Sequence, residues 1–599
     1  MSNPSEQAQV VVWGGGTGGV AAALQAARGG AATLLLTPGP WLGGMVSAAG
    51  VCAPDGNELT PWQSGLWGAF LRELQRREPE GVDHNWVSCF GYRPSTAERI
   101  LREWVAAEPR LRWWPGVRLE AVERSGRRLT GLRVEHRGEL LSIGLQILID
   151  GSDRGDCFPL AQAPYRLGWE AQEQWQEPSA PSAKALRSDP FFQRQPLQSP
   201  TWVVMGQLQG DPPAQGPDAA PSLPPPFTGA VERFGLERTI SYGRLPGGLV
   251  MLNWPLHGND WHGELLRGFA EHPSLRAELY GEMRGHSLRF AAALEEASGG
   301  WLQRAACFPD PGAAASGALA GAEALALMPY WREGRRLVGQ QLLLEQHLLP
   351  QAPGASIAAL PMDGEGRITS IAVGNYANDH HYPGPDWPLA PKSCRWGGRW
   401  SGTPFAIPYG ALVSQDVENL LAADKGFSTS HMANGATRLQ PLIFNLGQAA
   451  GAAAALALAR GLLAAELPVR ALQELLIRDG HAPAGPVPLW DTPWHHPQWA
   501  ERQRAVLDDP AQLSTGGHLA GLREHQPPAE PHERLFRGEL MVDGQGGYQL
   551  ATAEQLWPLI TLEPQLHHWL EGLDRPRAVQ VIGCCNPWGP WLRVSRLMA

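Results

Sequence analysis

Residues 10–24 read VVVWGGGTGGVAAAL, and this stretch decides the fold. An apolar run that predicts a strand ends in a glycine cluster, and small residues typical of a helix follow at once. Gly14, Gly16 and Gly19 fit G-x-G-x-x-G: the first permits a tight turn, the second lets a pyrophosphate approach the backbone, and the third allows close packing of the helix on the strand. The stretch therefore predicts a dinucleotide site; the alternative is a glycine-rich turn without a ligand.

Length and composition describe a globular protein of several domains. The 599 residues, of which 43% are hydrophobic and 18% charged, leave room for roughly two to four domains. The net charge of −10 argues against general affinity for nucleic acid. Seven scattered cysteines without a C-x-x-C pair fit a reducing compartment, and no leader pattern precedes the first strand. We therefore expect a cytoplasmic protein that does not bind nucleic acid.

Neither a metal site nor a membrane span is expected. The acidic loop at residues 150–156 lacks the distal glutamate of an EF-hand calcium loop. The most apolar later stretch, residues 447–463, is rich in alanine and glycine and carries Gln448 and Arg460. That composition predicts a helix buried against a sheet.

The second strand of the predicted βαβ unit ends in an unusual residue. Residues 33–36 form a short apolar run, and Thr37 stands where dinucleotide folds usually carry an acid that holds the adenosine ribose. A threonine hydroxyl bonds a ribose more weakly than a carboxylate does. Thr37 therefore neither supports nor excludes NAD as the dinucleotide.

A second glycine turn, Leu42-Gly43-Gly44-Met45, follows this strand. Together with the opening motif it resembles the FAD-dependent oxidoreductases, flavoproteins of the glutathione-reductase fold that include members named xanthan-lyase-like. The resemblance implies that the Leu-Gly-Gly segment runs along the pyrophosphate and ribityl chain of FAD.

The resemblance implies two further FAD contacts in the first part of the chain. Two alternating strands that begin at Val117 match the β-meander that interrupts the nucleotide-binding sheet of the family, which brings the Val117 backbone near the adenine. The apolar run at residues 145–149 ends in Asp150 and Gly151, where the family has an acidic, glycine-containing loop that returns to the FAD.

Residues 417–461 carry the second motif of the resemblance. They contain Ser-His-x-x-x-Gly-x-x-Arg-x-Gln-Pro and Gly-Gln-Ala-Ala-Gly, which resemble the family's C-terminal FAD motif. The resemblance places Asp424 beside the ribityl chain, and the helix that starts near Pro441 at the pyrimidine ring of the flavin. It makes His431 and Arg438 candidates for the reactive face; the alternatives are a histidine that caps the loop and an arginine paired with an acid.

Residues 379–382 (DHHY) form the densest acid–base cluster in the sequence. A histidine can act as a general base near neutral pH. Because neighbours on an extended segment point to opposite sides, at most one of His380 and His381 enters a given pocket.

Residues 332–336 (REGRR) form an arginine-rich segment in the region expected to bind substrate. Arg332 and Arg336, at i and i+4, would share one face of a helix and could bind an anionic substrate. The alternative is structural ion pairing with nearby glutamates such as Glu333.

The fold class predicted from these observations is α/β. We expect a Rossmann-like FAD-binding domain of glutathione-reductase type with an inserted α+β substrate domain and a small C-terminal α+β extension. The FAD domain combines residues 1–165 and 401–480, residues 166–400 are mainly the substrate domain, and residues 495–599 form an extension of unknown role.

The candidate site residues form two groups. The candidate catalytic residues are His431, Arg438, His380, His381, Arg332 and Arg336. The residues expected to bind FAD are Gly14, Gly16, Thr17, Gly19, Thr37, Leu42, Gly43, Gly44, Met45, Val117, Asp150, Gly151, Asp424, Gln440, Pro441 and Gly447.

The expected reaction is hydride transfer from a small polar or anionic substrate to the flavin, with a histidine as base and an unknown electron acceptor. One alternative is an NAD(P)H-linked flavin reductase, which would need a second G-x-G-x-x-G after a central strand; we find none there. Another alternative is a non-catalytic flavin- or carbohydrate-binding protein that keeps the fold, and Thr37 favours it modestly.

Overall fold

The computed structural model describes residues 6–212, 222–309, 322–383 and 394–598. Its strands are β1 (Glu6–Gln7), β2 (Val10–Trp13), β3 (Thr33–Thr37), β4 (Leu111–Pro115), β5 (Val117–Ser125), β6 (Arg128–His136), β7 (Glu139–Gly144), β8 (Ile147–Asp150), β9 (Tyr165–Arg166), β10 (Val204–Leu208), β11 (Leu249–Leu252), β12 (Leu302–Arg304), β13 (Arg336–Leu337), β14 (Ser370–Asn375), β15 (Cys394–Trp396), β16 (Arg399–Ser401), β17 (Pro404–Pro408), β18 (Leu420–Ala422), β19 (Arg534–Val542), β20 (Tyr548–Thr552), β21 (Leu556–Thr561), β22 (Arg577–Cys585) and β23 (Leu592–Met598).

Its α-helices are α1 (Thr17–Arg28), α2 (Gly65–Arg77), α3 (Pro94–Ala107), α4 (Cys157–Leu160), α5 (Gln172–Trp175), α6 (Ala183–Ser188), α7 (Pro190–Arg194), α8 (Gly235–Ile240), α9 (Pro273–Ala297), α10 (His431–Thr437), α11 (Gln440–Arg460), α12 (Val469–Ile477), α13 (Trp499–Asp508) and α14 (Pro564–Glu571).

A five-stranded parallel sheet forms the centre of the first domain. Its strand order is β18-β8-β2-β3-β4, and every residue of β2, β3 and β8 is buried. Continuous apolar strands of this kind suit a parallel sheet that is covered on both faces. The strand, helix and strand predicted for residues 10–36 are confirmed as β2, α1 and β3, so this part of the chain is a Rossmann-like α/β unit.

Helices α1 and α11 pack together although they lie more than 400 residues apart in the chain. A Cβ on Gly447 would lie 2.2 Å from the carbonyl oxygen of Gly18, and one on Gly451 would lie 2.2 Å from that of Ala22. Only glycine allows so close an approach. Helix α11 is long and apolar enough to span a membrane. However, 83% of its apolar 18-residue window is buried inside the protein.

A second sheet has the order β1-β7-β6-β5, and its strands β5, β6 and β7 lie between β4 and β8 in the chain. Strands β5, β6 and β7 run antiparallel to one another in a meander. The paired strands predicted after residue 116 are therefore present.

Between β8 and β18 in the chain lie a three-stranded antiparallel sheet of order β11-β10-β12 and the 25-residue helix α9. The helix that was expected to carry Arg332 and Arg336 is absent from this described segment. Arg332 lies in irregular chain, and Arg336 begins the two-residue strand β13. Pro329 and Gly334 interrupt the helical spacing, because proline and glycine both disfavour a helix interior.

The C-terminal unit is a closed barrel of order β19-β20-β21-β23-β22. The spacing of apolar residues predicts a helix over 554–570; this is wrong in the first half, which forms β21, while α14 forms the second half. The run Leu-Trp-Pro-Leu-Ile-Thr is short and apolar, and such a run does not distinguish strand from buried helix. A five-stranded Greek-key barrel of this kind is an OB-type architecture, and the fold alone assigns it no ligand.

The barrel occupies less of the chain than the predicted extension. It begins at Arg534, whereas α13 packs with Ile477 and Ile368 in a separate apolar cluster against the main body. The buried carboxylate of Asp83, which lies outside the barrel, binds two barrel residues. It accepts a hydrogen bond from Asn586 Nδ2 at 2.9 Å and lies 3.4 Å from the Arg593 guanidinium.

Candidate functional site

The glycine loop lies between β2 and α1, at the carboxyl edge of the parallel sheet. Gly14 has a φ of +102°, which favours glycine, and a Cβ there would lie 2.6 Å from the Ser152 nitrogen. A Cβ on Gly16 would lie 2.6 Å from the Gly151 oxygen and 2.7 Å from a carboxylate oxygen of Asp424. The structure thus adds a reason for glycine at position 16: the chain itself approaches there.

The second glycine turn rests directly on the first. Thr17 Oγ1 donates to the Gly43 oxygen at 2.7 Å, and the Gly43 N–H donates to the Gly15 oxygen at 2.9 Å. A Cβ on Gly44 would lie 2.8 Å from Gly16 Cα. The two segments therefore form one continuous surface of backbone.

Three other residues expected at FAD contribute packing in this region. A Cβ on Gly19 would lie 2.2 Å from the Gly14 oxygen, which is the close helix–strand contact that the motif predicts. Leu42 is fully buried, and its carbonyl accepts a hydrogen bond from Ser47 Oγ. Met45 is 1% exposed and belongs to the main core.

The Thr37 hydroxyl is engaged by the protein. It donates to the Gly39 oxygen at 2.8 Å and accepts from Trp113 Nε1 at 3.0 Å. A hydroxyl has one hydrogen and two acceptor lone pairs, so at most one acceptor position is left for a ribose.

The loop after β8 is held by its own acid. Asp150 accepts from the N–H groups of Ser152 and Cys157, both at 2.8 Å, and burial raises the pKa of Asp150 to about 7. Gly151 packs against the start of α1. Val117 begins β5 and is buried in the core, and it does not line the cavity beside the glycine loop.

Asp424 links the second motif to the first. Its Oδ2 accepts from the Gly18 N–H at 2.9 Å, at the N-terminus of α1. Its Oδ1 lies 3.3 Å from Nζ of the fully buried Lys425, which also pairs with Asp153. Burial raises the pKa of Asp424, while the Lys425 charge opposes the rise.

A cavity of about 390 Å³ opens beside the glycine loop. This volume lies within the range of small-molecule sites, about 300–1,000 Å³. Part of the wall is the backbone of Gly14, Gly15 and Gly16. The aromatic and cationic side chains that form other parts of the wall are Trp13, Trp41, Trp202, Tyr280, Trp331, Arg154, Arg276 and Arg284.

The other half of the predicted site is the corner between α10 and α11. Pro441 lies in the first turn of α11, where its missing N–H costs no hydrogen bond. Gln440 Nε2 donates to the Val51 oxygen at 3.2 Å. Gln440 Oε1 and the buried Thr437 hydroxyl have no hydrogen-bond partner among the described residues. Unpartnered buried polar atoms beside the N-terminus of a 21-residue helix indicate a ligand at this corner.

These features fit the FAD that the two motifs imply. The glycine loop and the N-terminus of α1 would hold the pyrophosphate, and Asp424 the ribityl hydroxyls. Gln440 and Thr437 would bind the polar edge of the flavin. The adenosine ribose is the one departure, because Thr37 offers it a single acceptor position.

Four buried side chains form a hydrogen-bonded chain beside α10, which we call the buried relay: Glu333, His431, Tyr382 and His380. Glu333 Oε1 lies 2.8 Å from His431 Nδ1, and His431 Nε2 lies 2.6 Å from Tyr382 Oη. Tyr382 Oη lies 2.9 Å from His380 Nδ1. The Trp169 ring covers the relay, with its centroid 3.9 Å from that of His431.

The geometry orders the hydrogens of the buried relay. His380 Nε2 lies 3.0 Å from the Met432 carbonyl, which only accepts, so this nitrogen carries a hydrogen. Burial and the nearby His431 lower the pKa of His380 to about 3, so its Nδ1 accepts from the Tyr382 hydroxyl. His431 lies between the Tyr382 oxygen and the Glu333 carboxylate and links the two.

Five alternating charges form a second group, which we call the accessible cluster: Arg438, Asp379, His381, Asp260 and Arg332. Asp379 Oδ2 lies 3.3 Å from Arg438 and 3.2 Å from His381 Nε2. Asp260 lies 2.9 Å from His381 Nδ1 and 3.0 Å from Arg332. The side chains of Asp379 and His381 are 27% and 14% exposed, whereas the ion pair of the buried relay is 0% exposed.

Both carboxylates of the accessible cluster are ionised. Burial would raise the pKa of Asp260, but Arg332 and His381 outweigh it and hold the pKa below its ordinary value. Burial would also raise the pKa of Asp379, but His381 and Arg438 outweigh this effect and hold the pKa below its ordinary value. One ring nitrogen of His381 faces each carboxylate, so this ring links the two acids.

Arg336 lies with the buried relay, apart from Arg332. Its guanidinium is fully buried, 3.1 Å from Glu170 and 3.4 Å from Glu333. Burial would raise the pKa of Glu333, but His431 and Arg336 hold it below its ordinary value. The two arginines therefore share no face, and structural ion pairing describes Arg336.

The adjacent histidines enter different clusters, as the extended spacing predicts. His431 does not cap the loop, because the Ser430 hydroxyl is the N-cap of α10. Sequence reasoning missed Asp260 and Tyr330, which carry no local signal; Asp260 lies 121 residues from its partner His381. The pair Arg276 and Arg284 was readable from its helical spacing.

Comparisons with known proteins agree with the family that the motifs suggest. A model of the FAD dependent oxidoreductase family matches residues 9–476. No curated protein matches the sequence.

Similar solved structures include a reductase-like protein, a dehydrogenase and a monooxygenase, all of low identity. A geranylgeranyl bacteriochlorophyll reductase-like protein from Thermoplasma acidophilum is 11% identical over 85% of this chain and 89% of that chain, with a TM-score of 0.33. A 3-ketosteroid-Δ4-(5α)-dehydrogenase from Rhodococcus jostii is 14% identical over 25% of this chain, with a TM-score of 0.18. A p-nitrophenol 4-monooxygenase from Pseudomonas putida is 12% identical over 34%, with a TM-score of 0.23. The match spans 46% and 48% of the latter two proteins, and scores this low transfer no substrate.

The family match extends over well more than half of the chain and includes both halves of the site. The glycine loop and the α10–α11 corner both fall within it, and the barrel lies beyond it. The chain belongs to the FAD dependent oxidoreductase family.

Proposed function

We propose that the protein oxidises a small polar or anionic substrate by hydride transfer to the flavin, and that the substrate reacts beside the accessible cluster. The position of Arg438 carries the proposal. This residue directly follows Thr437, at the corner where unpartnered polar atoms indicate the flavin. Its guanidinium also contacts Asp379 of the accessible cluster.

FAD supplies the redox chemistry by accepting the electron pair. The chain supplies orientation through Arg438, whose Nη1 donates to Tyr330 Oη at 2.8 Å while Nη2 donates to the Asp379 carboxylate at 3.3 Å. These bonds hold the guanidinium plane in one orientation, which suits a carboxylate or hydroxyl of the substrate.

The accessible cluster takes the proton that leaves the substrate. His381 lies between the two ionised carboxylates and can take this proton, and Asp379 and Asp260 would stabilise the imidazolium that forms. The guanidinium groups of Arg438 and Arg332 in the cluster favour a polar or anionic substrate. The buried relay, which substrate does not reach, positions α10.

We also propose that the FAD domain is of the glutathione-reductase type, with residues 1–165 and 401–480 forming it and residues 166–400 binding substrate. The strand order β18-β8-β2-β3-β4, with a meander between β4 and β8 in the chain, supports this arrangement. A cytoplasmic location is a further proposal, supported by seven free thiols.

The test is a visible spectrum of the purified protein, followed by anaerobic titration. We expect a flavin absorption band, bleached by a member of a panel of hydroxy acids, amino acids, sugar acids and polyols. The His381→Asn variant should keep the band and lose most of the bleaching rate. Absence of the band after addition of FAD would contradict the cofactor assignment.

Two other results would favour the alternatives. Bleaching by NADH or NADPH alone would support a flavin reductase. A band that no reductant in the panel bleaches would support a non-catalytic flavin-binding protein, the alternative that Thr37 favours.

A further inference from the structure

Helix α9 presents Arg276, Tyr280 and Arg284 to the cavity beside the glycine loop. Their spacing of four residues places them on one side of the helix. The same cavity is lined by the backbone of Gly14 and Gly16. Because α9 belongs to the inserted region, the cavity lies between that region and the FAD domain.

Neither of these two arginines has an acid within ion-pair distance among the described residues, although Asp156 is near enough to attract Arg276. The acids of the wall are already paired, as Asp153–Lys425 and Asp156–Arg154. Among residues 6–212, 222–309, 322–383 and 394–598, neither Arg276 nor Arg284 forms an ion pair or a hydrogen bond. The Arg284 Nε atom is buried and unpartnered.

This arrangement is unfavourable without an anion. Burial and the neighbouring Arg154 guanidinium lower the pKa of Arg276. The Arg284 guanidinium lies 5.1 Å from the Trp202 ring centroid, which desolvates it in part. Partly buried guanidinium groups need a counter-charge, and their planar donors suit the oxygens of phosphate groups.

We propose that Arg276 and Arg284 bind the diphosphate of FAD across the cavity from the glycine loop, so that both domains hold the cofactor. The inference rests on the binding of FAD that the proposed function requires. Two observations favour a diphosphate over a substrate anion. The glycine loop, which ends in the N-cap residue Gly16 of α1, lines the same cavity and is a phosphate-binding element. Thr37 offers the adenosine ribose at most one hydrogen bond, so contacts to the phosphates contribute more of the affinity for FAD.

The test measures binding to the full-length apoprotein by fluorescence and calorimetry, with FAD, ADP and riboflavin as ligands. ADP carries the diphosphate without the flavin, and riboflavin carries the flavin without any phosphate. For Arg276→Ala and Arg284→Ala we expect affinity for FAD and for ADP to fall about tenfold each, as for loss of a hydrogen bond to a charged group. Affinity for riboflavin should stay within about twofold.

The matched control is Arg289→Ala, an exposed arginine on the same helix, which should bind all three ligands like the wild type. Arg284→Lys keeps the charge and should lose less affinity than Arg284→Ala. Far-UV circular dichroism and thermal unfolding verify that each variant is folded. In the wild type, raising the salt concentration should weaken FAD and ADP binding and leave riboflavin unchanged; this measurement needs no variant.

The outcomes separate this inference from the proposed function. Wild-type affinity for FAD and ADP in both alanine variants overturns the inference, as does a raised substrate KM with unchanged FAD affinity, which would make the wall a substrate site. A wild type that binds FAD but is not reduced by any substrate overturns only the proposed hydride transfer. A wild type that binds neither FAD nor ADP overturns the inference together with the FAD site.

Discussion

The buried relay and the accessible cluster begin at adjacent residues, His380 and His381, but they differ in their access to water. In the buried relay, the ion pair of His431 and Glu333 is fully enclosed. In the accessible cluster, the carboxylate of Asp379 is about one quarter exposed. The two clusters use the same residue types, so composition does not separate them.

The difference teaches that enclosure decides what a histidine–carboxylate pair can do. An enclosed pair cannot exchange a proton with substrate, and breaking it leaves a buried charge, so its main effect is on stability. A pair with access to the site can accept a proton, so its main effect is on rate. Four measurements follow, from the largest expected effect to the smallest.

Glu333→Ala should destabilise the protein most. It leaves His431 and Arg336 buried without their shared counter-charge, and breaking such a pair costs about 3–5 kcal/mol. Urea unfolding measures the loss. The control is Glu365→Ala, whose side chain is 71% exposed in an exposed pair, and it should cost at most about 0.5 kcal/mol. A loss below about 1 kcal/mol for Glu333→Ala would mean that the enclosed pair carries little energy.

His381→Asn should lower kcat about 100-fold, the lower end of the usual effect of acid–base groups. The proton from the substrate then lacks the Asp379–His381 pair, while folding depends less on this partly exposed side chain. Steady-state kinetics with the substrate found by flavin bleaching, beside urea unfolding, give both quantities. If His380→Asn lowers kcat as much and leaves stability unchanged, the assignment of roles to the two clusters is reversed.

His380 should make the protein less stable in mild acid. Its pKa is about 3 in the folded protein, below its unfolded value near 6.5, so the unfolded chain binds the extra proton. Stability is therefore present above about pH 6.5 and falls as the pH drops toward the folded pKa. His380→Gln, which can keep a donor to Met432, should flatten the change between about pH 7 and pH 5 in urea unfolding. His568→Gln, at an exposed position on α14, should leave the wild-type slope. An unchanged slope in His380→Gln would contradict the neutral state of this ring.

Tyr382→Phe should have the smallest effect. It removes the hydroxyl that joins His431 to His380, a loss of about 1–2 kcal/mol of stability. Because the relay does not reach the substrate, kcat should change less than about threefold. A tenfold or larger fall in kcat would show that the buried relay moves a proton during turnover.

The sequence predicted the first half of the site better than the second. Gly14, Gly16 and Thr17 belong to a contiguous motif in which backbone geometry determines the residue type, so the strand, turn and helix were readable. The close contact of α1 with α11 was readable as well, because Gly447 and Gly451 are separated by one helical turn.

The polar clusters were only partly readable. Asp260 and Glu333 reach their histidines through tertiary contacts that leave no periodicity in the sequence. The expected helix with Arg332 and Arg336 on one face is absent because Pro329 and Gly334 interrupt it, and the spacing of the arginines alone does not reveal this. The barrel could be predicted only in part for a similar reason. A short apolar run such as residues 556–561 does not reveal whether it forms a strand or a helix.

The pairing of β18 with β8 has a consequence for biosynthesis. Leu420–Ala422 of β18 pair with one edge of β8. This edge of the parallel sheet therefore stays unpaired while the intervening chain of about 270 residues is made. At about 5–20 residues per second, that interval lasts some tens of seconds. An apolar edge strand that is exposed for so long is prone to pair with other chains, so the nascent protein should depend on chaperones until β18 is synthesised.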